Sequence, residues 1–227
     1  MSLYAISDPH LSLGTDKPMD IFKGWADYVS RLEANWRAVV SEEDTVVLPG
    51  DISWALKLEE TQADFAFLHS LPGKKLIGKG NHDLWWSTVT KMKRFLSNNG
   101  FTSIDFLFNN AFPVGGMAVC GTRGWFFDDL PDKKVLLREV GRLNASISAA
   151  EALELEPVVF LHYPPIYADS VCEEIFSVLK ERGIRRCYYG HIHGAGAYNA
   201  VKGPVDGIEF HLISCDHLEF CPKLVSL

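Results

Sequence analysis

Five apolar runs of strand length in this chain each end in a short cluster of Asp, Asn, His and Gly. LYAIS leads into Asp8-Pro9-His10, TVVLP into Gly50-Asp51, KKLIGK into Gly80-Asn81-His82-Asp83, PVVFL into His162, and RRCYY into Gly190-His191-Ile192-His193. Runs rich in β-branched and aromatic residues read as buried strands, and GMAVCGT and IEFHLIS extend the set. Helical stretches are expected between them around Trp25 to Ser41, Ala55 to Ser70, Leu84 to Asn98, Lys133 to Ala152 and Ser170 to Arg182, the third closing at Gly100. After Gly190 no helix is expected, and the turn pairs Gly203-Pro204 and Asp206-Gly207 point to antiparallel hairpins. The pattern predicts an α/β fold of two packed sheets with helices outside. In an open α/β sheet, ligands bind beyond the carboxyl ends of the strands, so the five clusters should converge in one cleft.

Local chemistry supports a metal site there. In extended backbone, residues two apart face one way, which pairs Asp8 with His10 and His191 with His193. Pro9 is expected to keep Asp8 extended, and Gly50, Gly80 and Gly190 each precede a candidate ligand where a close backbone approach needs a missing side chain. The donors are oxygen and nitrogen without thiolate, which suits manganese, iron or zinc.

Composition bounds the alternatives. The chain has 227 residues, enough for one full domain, and no internal repeat or linker divides it. Five cysteines without a CxxC pair fit reduced thiols. There is neither a signal-peptide pattern nor a membrane-length apolar run, so a cytosolic protein is expected. The formal charge of −7 disfavours long nucleic acid as a partner.

Taken together and in order, Asp8-Pro9-His10, Gly50-Asp51, Gly80-Asn81-His82-Asp83, His162 and Gly190-His191-Ile192-His193 resemble the DxH, GD, GNHD, His and GHxH blocks of the calcineurin-like metallophosphoesterase family. The resemblance implies a four-layer αββα sandwich, two mixed sheets flanked by helices, holding two divalent ions at the sheet edge. Asp8, His10, Asp51 and His193 would hold one ion, and Asp51, Asn81, His162 and His191 the other, with Asp51 bridging. Manganese is the leading candidate, with iron and zinc as alternatives.

The activity implied is hydrolysis of a phosphoester by a metal-bridging hydroxide. His82 corresponds to the general acid, and Asp83 is expected to orient its imidazole and favour its protonated form. Arg123, in GTRGW after a strand, is a candidate contact for the substrate phosphate. Trp54, Trp85 and Trp86 either wall a substrate pocket or pack into the core. His69, His211 and His217 are assigned to structure. The chain lacks the GDxVDRG block of the protein phosphatases, and its His162-Tyr163-Pro164-Pro165 matches the H-x-P-P of nuclease and cyclic-nucleotide phosphodiesterase branches. The expected substrate is therefore a phosphodiester or a small phosphorylated metabolite, with a phosphomonoester or phosphoprotein as alternative. The competing class is a scaffold that keeps the fold without turnover.

Overall fold

The computed structural model describes residues 1–125 and 133–225. Its elements begin with β1 (Leu3–Ala5), α1 (Tyr28–Val39), β2 (Thr45–Leu48), α2 (Gln62–Ser70), β3 (Lys74–Ile77), α3 (Val89–Asn99) and β4 (Ile104–Phe106). There follow β5 (Phe112–Val114), β6 (Met117–Thr122), α4 (Lys133–Glu151), β7 (Glu156–Leu161), β8 (Ile166–Tyr167), β9 (Ser170–Val171) and α5 (Glu173–Glu181). Last come β10 (Arg186–Tyr189), β11 (Gly203–Val205), β12 (Ile208–Leu212) and β13 (Lys223–Val225).

Two large sheets result. One runs β13-β1-β2-β3-β4, parallel except for β13, which pairs antiparallel with β1. The other runs β11-β12-β10-β7-β6-β5, parallel in its middle with antiparallel strands β11 and β5 at its edges. Alternation along each strand sets the layers. Val47, Leu76, Val119, Val158, Phe160 and Tyr188 join one apolar cluster that both sheets supply. Their neighbours Val46, Leu48 and Ile77 pack with Leu32, Trp36, Phe65, Leu68 and Met92 of α1, α2 and α3. On the other side Cys120, Val159, Leu161, Cys187 and Tyr189 pack with Leu143, Ile147, Ile175 and Leu179 of α4 and α5. Both faces of each sheet are covered, which explains why these strands read as unbroken apolar runs. The architecture is the four-layer αββα sandwich with mixed sheets.

The five expected helices form, three of them starting later than expected, at Tyr28, Val89 and Glu173, and α3 ends at left-handed Gly100 as anticipated. The second begins as a 3-10 turn, Leu58–Thr61, before α2. The short strands β4, β5, β8, β9 and β13 carried no sequence signal, being two or three residues long. The last quarter departs from the hairpin expectation. Among its described residues only β11–β12 is a hairpin; β12 lies parallel to β10, β13 crosses to the other sheet, and Gly194–Tyr198 forms a 3-10 turn. All five cysteines are free, as expected. No described helix is long and apolar enough to cross a membrane.

One buried charge belongs to the fold alone. Lys75 in β3 has no exposed surface, and its Nζ donates to the carbonyls of Leu71 and Gly73, each at 2.6 Å, where α2 has just ended. Burial lowers its pKa to about 8 from the ordinary 10.5. Between those values the unfolded chain keeps a proton that the folded chain has released, so stability rises with pH. Thermal denaturation between pH 8 and 10 should show a more positive dependence of Tm on pH for the wild type than for Lys75→Met. Parallel curves would show that Lys75 titrates as a solvated lysine.

Candidate metal centre

The five clusters meet at the carboxyl ends of β1, β2, β3, β7 and β10. Donor atoms of Asp8, His10 and His193 lie within 4.8 Å of one another, and so do those of Asp51, His162 and His191. Asn81 joins the second group, its Oδ1 2.7 Å from His162 Nε2. Asp51 stands between the groups: its Oδ2 is 3.7 Å from His10 Nε2 and 3.6 Å from His162 Nε2, while its Oδ1 accepts the His82 N–H. All seven residues expected as ligands are thus brought together.

Backbone geometry achieves this differently from the extended pairing expected. Asp8, His10, Asp51 and His191 all sit in the left-handed region, with φ of 58°, 44°, 51° and 69°, a costly conformation for residues other than Gly. Pro9 therefore does not hold Asp8 extended. Cross-loop hydrogen bonds override it: Asp8 N–H donates to the Gly50 carbonyl, His10 N–H to that of Asp51 and Leu11 N–H to that of Ile52, while Asp8 Oδ2 accepts the His191 N–H. Nor do His191 and His193 face one ion together, since the turn at His191 sends each to a different group. Two glycines make the approach possible. A Cβ on Gly80 would stand 2.0 Å from Asp51 Oδ1, and one on Gly190 2.2 Å from Asp8 Oδ2.

The donor set fits cations on electrostatic grounds. Burial and the neighbouring histidines and Lys17 push His10 well below the ordinary histidine range, and burial with the surrounding positive groups does the same to His162. Burial and the histidines His193 and His82 lower His191 to about 4. These are neutral imidazoles with lone pairs to give. Burial raises Asp8, and burial with the charges of Asp8 and Asp83 raises Asp51 well above the ordinary carboxylate range. Asp8 Oδ1, His10 Nδ1, His162 Nδ1 and His193 Nε2 are buried without a hydrogen-bond partner. Clustered carboxylates and orphaned lone pairs are costly alone and are offset by divalent cations. Oxygen and imidazole ligands admit manganese, iron or zinc alike.

One expected role is revised by position, and others are narrowed. Asp83 does not orient His82. Its buried carboxylate accepts backbone N–H groups from Asp51, Ile52, Ser53 and Gly80 and the Trp85 indole N–H, at 2.7–3.3 Å, so it ties the two loops together and has no capacity left over. Burial raises its pKa to about 6 against these donors. His82 instead packs 4.5 Å from the Trp54 ring and 5.6 Å from the His10 ring, and burial, Lys17 and His193 lower its pKa. Trp85 belongs to the core and Trp86 packs against it, while Trp54, also partly buried, stacks on His10 at 4.9 Å beside the site. Arg123 lies at the edge: its guanidinium is 5.9 Å from the Tyr163 ring and 3.9 Å from Glu139, and Tyr163 packs 4.6 Å from His191.

Reading by sequence misses Asp216. Its Oδ1 is 2.7 Å from His193 Nδ1 and its Oδ2 accepts the Gly194 N–H, which turns His193 Nε2 toward Asp8. Burial opposes protonation of His193, but the Asp216 hydrogen bond and the charges of Asp8 and Asp216 outweigh it and raise the pKa. Asp216 closely follows β12, so the rule that found the other clusters would have reached it too. His217 beside it takes no part in either group.

A two-sheet α/β sandwich that gathers His, Asp and Asn at its strand ends defines a metallophosphoesterase. The chain matches the calcineurin-like phosphoesterase family over residues 1–195, most of its length, and belongs to that family. Solved structures share the fold at low identity. A protein of unknown function, AQ665 from Aquifex aeolicus, is 17% identical with a TM-score of 0.53, covering 98% of this chain and 95% of its own. The phosphopantetheinyl hydrolase PptH from Mycobacterium tuberculosis is 15% identical with a TM-score of 0.52, covering 99% and 95%. TT1561 of Thermus thermophilus is 13% identical with a TM-score of 0.58, covering 99% and 97%. No curated protein sequence matches.

The two carboxylates that support donors should separate experimentally. Asp216→Asn should weaken metal binding by about 10–100-fold while leaving thermal stability close to wild type. Asp83→Asn places an amide donor against N–H groups and should cost about 2–4 kcal/mol in denaturant unfolding. An Asp83→Asn protein as stable as wild type, but slow in turnover, would return Asp83 to the role of orienting His82.

Proposed function

We propose that the protein is a dinuclear metal-dependent phosphoesterase acting on a phosphodiester or a small phosphorylated metabolite. The observation that carries this reading is the meeting of the two donor groups at Asp51 Oδ2. Asp8, His10, Asp51 and His193 would hold one divalent ion, and Asp51, Asn81, His162 and His191 the other, manganese first among the candidates. When bound, the ion pair supplies an activated water and offsets charge on the phosphoryl oxygens.

The remaining steps fall to the chain. Asp216 fixes the His193 tautomer, and Asp83 fixes the loops that bear Asp51 and Asn81. His82 donates a proton to the leaving oxygen, its lowered pKa making it a stronger acid when charged. Arg123, partly engaged by Glu139, offers its fork to a phosphate oxygen. The working unit is the whole chain as one domain, since β13, beyond residues 1–195, completes the first sheet beside β1. A member of the fold described as a phosphopantetheinyl hydrolase makes phosphopantetheinyl compounds an early choice in a substrate screen.

Metal analysis tests the reading first. Protein reconstituted with manganese should hold about two equivalents, and Asp51→Asn should lose at least one together with activity, with a larger loss than Asn81→Ala, because Asp51 faces both groups. Wild-type protein that holds under one equivalent and leaves aryl and alkyl phosphoesters intact would favour a binding scaffold.

His82 is tested through the leaving group. An alkoxide needs a proton on departure and a nitrophenolate hardly does, so His82→Ala should slow an alkyl phosphoester by about 10²–10⁴-fold and a nitrophenyl ester far less, with both metals retained. Equal losses on the two esters would give His82 a positioning role.

A further inference from the structure

A cavity of about 650 Å³ opens beside the metal centre, within the usual size range for small-molecule sites of roughly 300–1,000 Å³. Lys17, Trp54, Leu56, Glu60, His82 and Leu84 line it, and His82 and Trp54 belong to both the cavity and the surroundings of His10. Its walls combine three features seldom left open by packing alone. Leu56 and Leu84, 64% and 65% exposed, give it an apolar rim. Trp54 is only partly buried, and its indole Nε1 lacks a hydrogen-bond partner. Lys17 Nζ sits 4.0 Å from the centroid of the Trp54 ring, a cation–π contact that holds the ammonium in place.

The charges of the cavity are unequal in availability. Glu60 Oε2 is occupied, accepting the N–H groups of Leu56 and Lys57 at 3.0 and 3.1 Å. Asp16, also on the wall, is exposed. The charge fixed next to the indole is that of Lys17, and the same indole ring packs 4.5 Å from His82. The loop bearing it is anchored from below: Leu13 N–H donates to Asp64 Oδ1 at 2.7 Å, and the Asp64 carboxylate also accepts the Ser53 hydroxyl two residues after Asp51. Cavity wall and metal loop are thus one construction.

The direction of the chemistry assigns an occupant. Hydrolysis joins the oxygen of water to phosphorus, breaks the bond from phosphorus to the leaving oxygen on the opposite side, and passes a proton to that oxygen. If His82 gives the proton, the leaving alcohol lies on the His82 side, and that side is this cavity. We infer that the cavity holds the leaving alcohol of the substrate, and that Lys17 selects alcohols with an apolar or ring body bearing a second anionic group. The inference rests on the hydrolase reading for its direction, and on the cavity itself for its chemistry.

Two non-hydrolysable probes separate the two. Benzyl phosphonate and its para-carboxy analogue differ only in the second charge, and calorimetry on the manganese-loaded full chain gives their Kd values. The wild type should bind the carboxylated probe about tenfold more tightly, as one charge-assisted contact allows. Lys17→Met should bring the ratio to about one, and Lys17→Glu should invert it; Lys17 is exposed, so neither substitution threatens folding. The same order is expected in kcat/KM for phenyl phosphate and its para-carboxy analogue, each as monoester and as methyl diester. A Kd ratio that is the same in all three proteins, or the absence of binding by either probe, overturns the inference. Charge-selective binding of the phosphonates with no cleavage of any ester would uphold the cavity's selectivity and end the hydrolase reading instead.

Discussion

The site depends on one buried carboxylate. Asp83 has no exposed surface and takes five N–H donors, from the segment 51–53, from Gly80 and from Trp85. Each unmade bond would leave a buried donor unsatisfied, at about 1–3 kcal/mol, so the two loops after β2 and β3 can close in only one relative arrangement. That arrangement puts Asp51 Oδ1 on the His82 N–H and Oδ2 between His10 and His162. A carboxylate outside both donor groups thereby decides where Asp51 Oδ2 stands between them.

Around this tie the chain stores backbone strain and charge repulsion in the same few residues. Four of the candidate ligands have positive φ, and Asp8 and Asp83 raise the cost of ionising Asp51 within a buried volume. The cost is sustained because the parallel sheets beneath are covered on both faces, so the strand ends cannot relax without exposing a core. Glycine at positions 80 and 190 removes the atoms that would keep the carboxylates from their places. Divalent cations would relieve the repulsion and use the orphaned lone pairs together.

The imidazole outside the ligand set has a separate environment. His82 touches Trp54 and lies under the influence of Lys17, on the side of the centre where the chain leaves a cavity and exposed leucines. The loop bearing Lys17 and the loop bearing Asp51 share the Asp64 anchor, through Leu13 and Ser53, so the cavity wall and the donor cluster are tied through one short stretch of structure.

What the sequence by itself determined is the set of candidate donors and the layer order. A ligand can be read from sequence when its chemistry and its place at a strand end coincide, as for Asp8, Asn81, His162 and His191, and unbroken apolar runs such as VVFL announce sheets covered on both faces. The family resemblance already divided the candidate ligands as the structure groups them; only the tertiary structure decided the backbone that carries them and what supports them. Pro9 argued for extended backbone at Asp8, yet hydrogen bonds to a loop some forty residues away impose a left-handed turn. Asp83 looked like a partner for its neighbour His82, but three of its five donors come from about thirty residues upstream. Asp216 stands near a strand end, but its link to His193 joins two separate loops, and neither Lys17 nor the short strand β13 gave a local signal of its partner. The physical reason is common to all of them. A side chain's type fixes what bonds it can make, while the partner it makes them with is set by the packing of layers that brings distant loops to one edge.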